Sequence, residues 1–292
     1  PEWMGKEAVL PDKEDEYVEM IVSLVYYACF ERHLQFGLLG PMNEPDIRNE
    51  GPTMDARQYV RVVKKIVTRL DELGLGHLRL VGPDTAGMDK AVREYLPLMM
   101  AEPAVMQRLA CVGVHSYGGY RADVRSALWM TEWNAWRDGL DNGQIGVYDY
   151  DYAAECVRYL LDLLRNGAAA ALVWEAYDSL YEHHNVYGQP PSAWSYWGVI
   201  GYDQKNETYT PRKHFYAISQ ISRFLTPGSY QVSVAAAPEG LDVVAFYHPE
   251  FGKLAIVGEN SRNAPVSLAG VLNQLPAIHT LELSYTNAGE NL

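Results

Sequence analysis

The sequence predicts an α/β fold of the (β/α)8 TIM-barrel kind, with three of the eight βα units outside this chain, followed by a small antiparallel β-sandwich-like region. Three observations predict it. Helix-period and strand-like segments alternate from residue 12 to about residue 225, the signature of a parallel sheet with helices outside it. The strand-like segments are apolar nearly throughout, as strands buried on both faces must be. Five of them are visible, near residues 36, 78, 111, 128 and 171, and only 35 residues precede Phe36, whereas a closed barrel needs eight units in about 250 residues.

Asp12, Glu14 and Asp15 open the first helix with carboxylates suited to its positive end. Its apolar residues Tyr17, Met20, Ile21, Leu24, Val25 and Ala28 recur at helical spacing. A strand at Phe36–Leu39 runs into Gly-Pro-Met-Asn43-Glu44-Pro45-Asp46. The second helix starts near Asp55, with Gln58 at the capping-box position. It shows Tyr59, Val62, Val63, Ile66, Val67 and Leu70 on one face and stops at Gly74. A strand at His77–Val81 precedes a helix over 88–100 and a shorter one over 104–109. Strands then follow around Cys111–His115, around Leu128–Glu132 and, after a helix over 151–165, in Ala168–Glu175. A last helix begins at Pro211, a favoured first position. After Pro227-Gly228, five short alternating segments broken by Gly, Pro and Asn predict antiparallel strands. The expected division is a barrel domain at 1–225 and an all-β domain at 226–292.

The 292 residues carry a net charge of −13, which argues against nucleic acid and anionic membranes as partners and suits a neutral substrate. Tyr (21) and Trp (7) far outnumber Phe (6). Rings with a polar handle serve sugar-binding clefts as well as Tyr-rich cores, and composition leaves both readings open. Cys29, Cys111 and Cys156 lack metal-site spacing and read as buried thiols. There is no signal peptide and no run of 18 apolar residues. The compartment stays open, with a secreted or periplasmic one favoured. The start at Pro1, without an initiator Met, leads to the expectation that upstream sequence is missing.

Four strand ends carry polar or aromatic residues: Asn43-Glu44, His115-Ser116-Tyr117, Thr131-Glu132-Trp133-Asn134 and Trp174-Glu175. In a barrel such ends converge on one mouth. A lone Glu after a strand is ordinarily a helix cap or a solvated loop residue, but four ends in register point to a site. Two carboxylates are what glycosidic cleavage requires, one to protonate the leaving oxygen and one at the anomeric carbon. Trp129, Trp133 and Trp136 flank Glu132 as walls of a sugar subsite, while His115 and Tyr117 are close enough to hydrogen-bond Glu132 and keep it ionised. Glu175 and Asp178 are spare carboxylates. The 82–87 turn reads as structural or substrate-lining, and Glu182-His183-His184 as a cleft loop rather than a metal site. Ser116 lacks a nucleophile elbow, and no phosphate-binding glycine motif is present. No metal or cofactor is expected.

These strand ends resemble the clan A retaining glycoside hydrolases. Asn-Glu-Pro at 43–45, His-x-Tyr at 115–117, the Glu at 132 and the Trp at 174 match the clan's pattern. The Pro-Glu-Trp-Met opening and the β region after Phe-Leu-Thr-Pro-Gly are similar to family 30, with relatives in families 39 and 5. The resemblance covers residues 1–290 and implies that Phe36 begins strand four. It makes Glu44 the acid/base and Glu132 the nucleophile. Asn43 binds the sugar 2-hydroxyl, Tyr117 and His115 attend the nucleophile, Trp174 floors the subsite, and Trp3 and Trp133 stand near the cleft. Strands one to three, with the Arg the clan places on strand two, are absent, so another polypeptide segment is expected to complete the barrel around a carbohydrate substrate. The rival reading is a non-catalytic carbohydrate-binding protein on the same fold.

Overall fold

Helices and strands alternate as the hydrophobic pattern requires in the computed structural model, which describes residues 2–48, 51–118, 127–135, 150–179, 197–203, 205–262 and 264–291. Trp136, Glu182, His183 and His184 lie outside the described residues. Two compact units are present: Pro1–Trp133 with Asn166–Leu172, and Asn134–Arg165 with Val173–Leu292.

The first unit carries one sheet in the order β1 (Leu38–Leu39), β2 (Arg79–Thr85), β3 (Leu109–His115), β4 (Leu128–Trp133), β5 (Ala168–Val173). The pairings β1–β2, β2–β3 and β3–β4 are parallel. Its helices are α1 (Glu14–Tyr26), α2 (Ala56–Glu72), α3 (Met88–Lys90), α4 (Leu96–Met100) and α5 (Pro103–Arg108), with a π-helical turn at Ala91–Tyr95 between α3 and α4.

Helix α2 follows its sequence closely. The Asp55 carboxylate accepts from the Gln58 backbone N–H at 2.9 Å, capping the start. All six expected apolar side chains from Tyr59 to Leu70 are buried, and Gly74 ends the turn at φ +74. Gln58 differs from a capping-box residue: its amide donates to the Val9 carbonyl at 2.8 Å, tying α2 to the N-terminal segment.

Helix α1 is rotated from its expected face. Tyr17, Val18, Val22 and Val25 are buried, whereas Met20 is 40% and Leu24 66% exposed. Glu14 lies on the buried side, 3% exposed, where it meets Arg61 at 2.6 Å and Lys65 at 3.1 Å on α2. Turning Glu14 towards α2 brings Val18 and Val22 inward, since they lie within about 80° of it on the helix. The strand predicted over Phe36–Leu39 shortens to Leu38–Leu39. Cys111 and Cys156 are buried as expected, but Cys29 is only partly so.

The second unit holds α6 (Tyr150–Arg165) and α7 (Lys213–Ser222), which pack together, and two three-stranded sheets. One contains β6 (Tyr177–Ser179), β7 (Ile200–Asp203) and β8 (Thr208–Pro211). The other is antiparallel, built from β9 (Tyr230–Val232), β10 (Leu241–His248) and β11 (Lys253–Asn260). Arg158 bridges α6 to Glu259 on β11 at 3.3 Å. The first three predicted alternating segments become β9, β10 and β11. The last two form no strands: Val271, Leu281 and Leu283 are more than four-fifths exposed, because alternation makes a strand only where an edge is available to pair with it. The β7–β8 hairpin was not foreseen. Its turn is held by Asp203, whose carboxylate accepts from the Lys205 and Asn206 backbone N–H groups at 2.9 and 3.2 Å. Among the described residues, no helix is long and apolar enough to cross a membrane.

Candidate active site

The loop after β1 is anchored on three sides. The Tyr17 hydroxyl on α1 donates to the Pro41 carbonyl at 2.8 Å. The Met54 N–H donates to the Pro45 carbonyl at 3.0 Å, and the Glu44 N–H to the Asp84 carbonyl at the end of β2, also at 3.0 Å. Glu44 sits at φ +39, outside the right-handed helical region that a following proline disfavours, and it is 5% exposed. Asn43 beside it is exposed.

Parallel register brings the other groups to the same sheet end. Val114 pairs with Met130, and an irregularity after Val114 places His115 opposite Glu132. His115, 1% exposed, is the hub. Its Nδ1 lies 2.7 Å from Glu44 Oε1 and 3.7 Å from Glu132 Oε2, and its Nε2 lies 3.7 Å from Asp84 Oδ1. The imidazole's hydrogen bond therefore goes to Glu44, while Glu132 receives the Tyr117 hydroxyl at 2.7 Å.

Burial alone would lower the His115 pKa. The carboxylates of Asp84, Glu44 and Glu132 outweigh it and lift the imidazolium from 6.5 to about 10. One cation does not neutralise three carboxylates. Glu132 is held above the usual carboxylate range, first by burial and further by Glu44 and Asp84, against the pull of His115 and Tyr117. Glu44, His115 and Glu132 bring ligand-type atoms within 4.8 Å of one another. The Glu44–His115 contact and the Tyr117–Glu132 hydrogen bond, both 2.7 Å, also make the arrangement an acid–base cluster.

Tyr117 is placed by a close backbone crossing. Its N–H and that of Gly118 both donate to the Ala86 carbonyl, at 3.0 and 3.2 Å. A Cβ on Gly87 would sit 2.4 Å from the Gly118 Cα, so these turns approach only as glycines.

The remaining predicted residues are dispersed. Trp3 is 46% exposed in a short 3-10 helix, Glu2–Met4. Trp133 is 1% exposed, unlike an open subsite wall: adjacent residues of an extended strand leave on opposite sides, and Glu132 takes the side facing His115. Trp174 belongs to the second unit and is 39% exposed. Its carbonyl accepts from the Asn134 amide, whose oxygen accepts from the Tyr152 hydroxyl at 2.7 Å. Glu175 and Asp178 also lie in the second unit. Sequence reasoning gave no separate role to Asp84, read only within the 82–87 turn, or to Thr131, read only as part of a strand end, whose hydroxyl donates to Asp84 Oδ1. The signal was present, since Asp84 follows an apolar strand just as Glu44, His115 and Glu132 do.

No protein-family model matches the chain, and no curated protein matches it. Solved structures do. An endo-β1,6-glucanase superposes with a TM-score of 0.66 at 20% identity, over 87% of this chain and 58% of its own. SrfJ from Salmonella typhimurium gives 0.69 at 16% identity, over 88% and 57%. The catalytic domain of GH30 xylanase C from Talaromyces cellulolyticus gives 0.62 at 17% identity, over 84% and 53%. The chain has the fold of part of a (β/α)8 barrel. It spans 53–58% of the length of these solved chains. Within the barrel frame Glu44, Asp84, His115 and Glu132 lie at strand ends that share one end of the sheet, where barrel sites are built.

Proposed function

We propose that this chain is part of a retaining glycoside hydrolase that cleaves β-glycosidic bonds of a polysaccharide or oligosaccharide by double displacement. One observation carries the reading: two glutamates from separate strand ends, Glu44 and Glu132, hold carboxylate oxygens within 4.8 Å of each other across one imidazole. Retaining pairs stand closer than inverting pairs, which leave room for a water between the carboxyl groups, and so near an approach of two carboxylate oxygens supports retention. The solved structures of similar fold are named as an endo-β1,6-glucanase and GH30 xylanases, which makes β-1,6-glucan and xylan the first substrates to try.

In this reading Glu44 takes up a proton before the step and passes it to the leaving oxygen while ionised Glu132 attacks the anomeric carbon, giving a glycosyl ester and the free leaving group. Glu44 then takes a proton from water, and that water releases the sugar. Glu132 must be ionised to attack. Because its pKa lies above 4.5, the rate should fall as pH drops through that raised value. Tyr117 orients the Glu132 carboxylate. Asn43 is assigned the sugar 2-hydroxyl, and Trp174 and Trp3 the subsite walls, with the buried Trp133 packed beneath as support for Glu132. The proposal includes another polypeptide segment that completes the barrel beside β1. Among the described residues β1 pairs with β2 alone, and Leu24, Tyr27, Phe30, Leu34, Phe36 and Leu38 nearby in the chain are each more than two-fifths exposed, an apolar surface of the kind that marks an interface.

The test is digestion of xylan and β-1,6-glucan, with the first-formed anomer followed by NMR. Retained configuration supports the reading, and inversion rules out double displacement. Binding of a glycan without cleavage, with the barrel complete, favours the non-catalytic carbohydrate-binding alternative.

A further inference from the structure

We propose that Asp84 is a positioning residue for the paired glutamates: its backbone carbonyl holds Glu44, and its carboxylate faces the far nitrogen of His115, so that the imidazole keeps both protons and presents a charged Nδ1–H between Glu44 and Glu132. The inference rests on the reading that Glu44 and Glu132 are the reacting pair.

Two contacts from one residue converge on Glu44. The Asp84 carbonyl accepts the Glu44 N–H at 3.0 Å, which sets the backbone of the loop. The Asp84 Oδ1 lies 3.7 Å from His115 Nε2, and the other ring nitrogen meets Glu44 Oε1 at 2.7 Å, which sets the side chain. A neutral imidazole carries its proton on either nitrogen, and a carboxylate facing each one favours protonation of both. Without Asp84, the ring would give up its Nε2 proton more readily, and the Nδ1–H left facing Glu44 would belong to a neutral ring, a weaker donor than the imidazolium.

Asp84 is itself held. The Thr131 hydroxyl on β4 donates to its Oδ1 and also lies 3.1 Å from the Val114 carbonyl. A Cβ on Gly113 would stand 2.6 Å from a Val81 methyl and 3.0 Å from the Thr131 methyl, so the glycine leaves room for the threonine that holds this carboxylate. Asp84 and Glu44 both adopt left-handed backbone, φ +62 and +39. Such conformations are uncommon outside glycine and cluster at working sites. Here the two strained residues are bonded to each other.

Among the described residues, four groups face the His115 ring: Glu44 from the loop after β1, Asp84 from β2, Glu132 from β4, and the Tyr117 ring edge-on at 5.9 Å. The test is Asp84→Asn in the full chain, with the His115 ring nitrogens followed by nitrogen-15 NMR across pH. Removing one of three opposing charges should lower the His115 titration midpoint by about one pH unit or more. On unactivated β-glycosides, kcat should fall about 10–100-fold, the usual cost of losing a supporting partner, with KM nearly unchanged. The Asp71→Asn control, which removes a surface carboxylate paired with Arg108, should move neither. An unmoved midpoint in folded Asp84→Asn overturns the proposal. Should that variant fail to fold, Thr131→Val carries the test: a shifted Nε2 resonance supports the role, and an unshifted one overturns it. A wild-type chain that cleaves no β-glycoside with its barrel complete refutes the enzyme reading instead, and the NMR result then decides the role of Asp84 alone.

Discussion

Replacing His115 with Gln removes the one cation among Glu44, Asp84 and Glu132 and leaves the glutamates facing each other in a buried site. The rise of its pKa from 6.5 to about 10, at ~1.4 kcal/mol per pH unit, makes the charged ring worth up to about 5 kcal/mol. That agrees with the ~3–5 kcal/mol typical of breaking a buried ion pair. The sign follows from linkage. A base whose folded pKa is raised contributes stability that is complete below its unfolded value of 6.5 and disappears as pH rises through about 10. Urea unfolding of wild type and His115→Gln, from about pH 5 to about pH 10, should show a gap of about 3–5 kcal/mol at the acid end. The gap should close steadily towards the alkaline end. A gap that stays constant across the window, or none at the acid end, would refute the argument that the carboxylates hold His115 charged.

Glu132→Gln should abolish turnover while raising stability at neutral pH, by ~1.4 kcal/mol for each unit its pKa stands above 4.5; the gain should vanish below pH 4.5, where the carboxyl is protonated folded or unfolded. Glu44→Gln should slow substrates with poor leaving groups far more than activated aryl glycosides, and equal losses would count against the acid role. Gly87→Ala, whose Cβ would meet the Gly118 backbone at 2.4 Å, should cost about 1–3 kcal/mol and loosen the Tyr117–Glu132 hydrogen bond, as read in thermal melts and in the Tyr117 ring resonances. Glu14→Gln should destabilise α1 against α2 by about 1–2 kcal/mol, a figure reduced because Arg61 and Lys65 are partly exposed. Arg61 and Lys65 hold the Glu14 carboxyl below its usual range despite the opposing effect of burial. Its contribution should therefore be complete above pH 4.5 and lost as pH falls through the lowered value.

Much of the barrel was legible because local pattern and tertiary environment agreed. Helix α2 has one strong apolar face, and all of that face is buried. Helix α1 has two comparable faces, and the buried one is the face that also carries Glu14 to Arg61 and Lys65 on α2, contacts that no local window contains. The segments after residue 263 alternate like strands yet form none, with only an isolated bridge between Thr286 and Asn291, because pairing depends on an available edge and not on the segment alone. In the site, Glu44, His115, Tyr117 and Glu132 were legible as polar ends of apolar runs. Asp84 was passed over inside a turn whose glycines and proline explained it well enough.

By itself the sequence determined an alternating α/β chain with an antiparallel end, and which strand ends carry carboxylates and an imidazole. These are local properties of side-chain period and polarity. Only the tertiary structure decided that His115 bonds Glu44, 71 residues away, rather than Glu132, its strand neighbour, and that Asp84 is the third carboxylate. Those outcomes depend on strand register, on the irregularity after Val114 and on left-handed backbone at Glu44 and Asp84. Distances of a few ångström between remote residues arise from packing, which no pattern within one segment encodes.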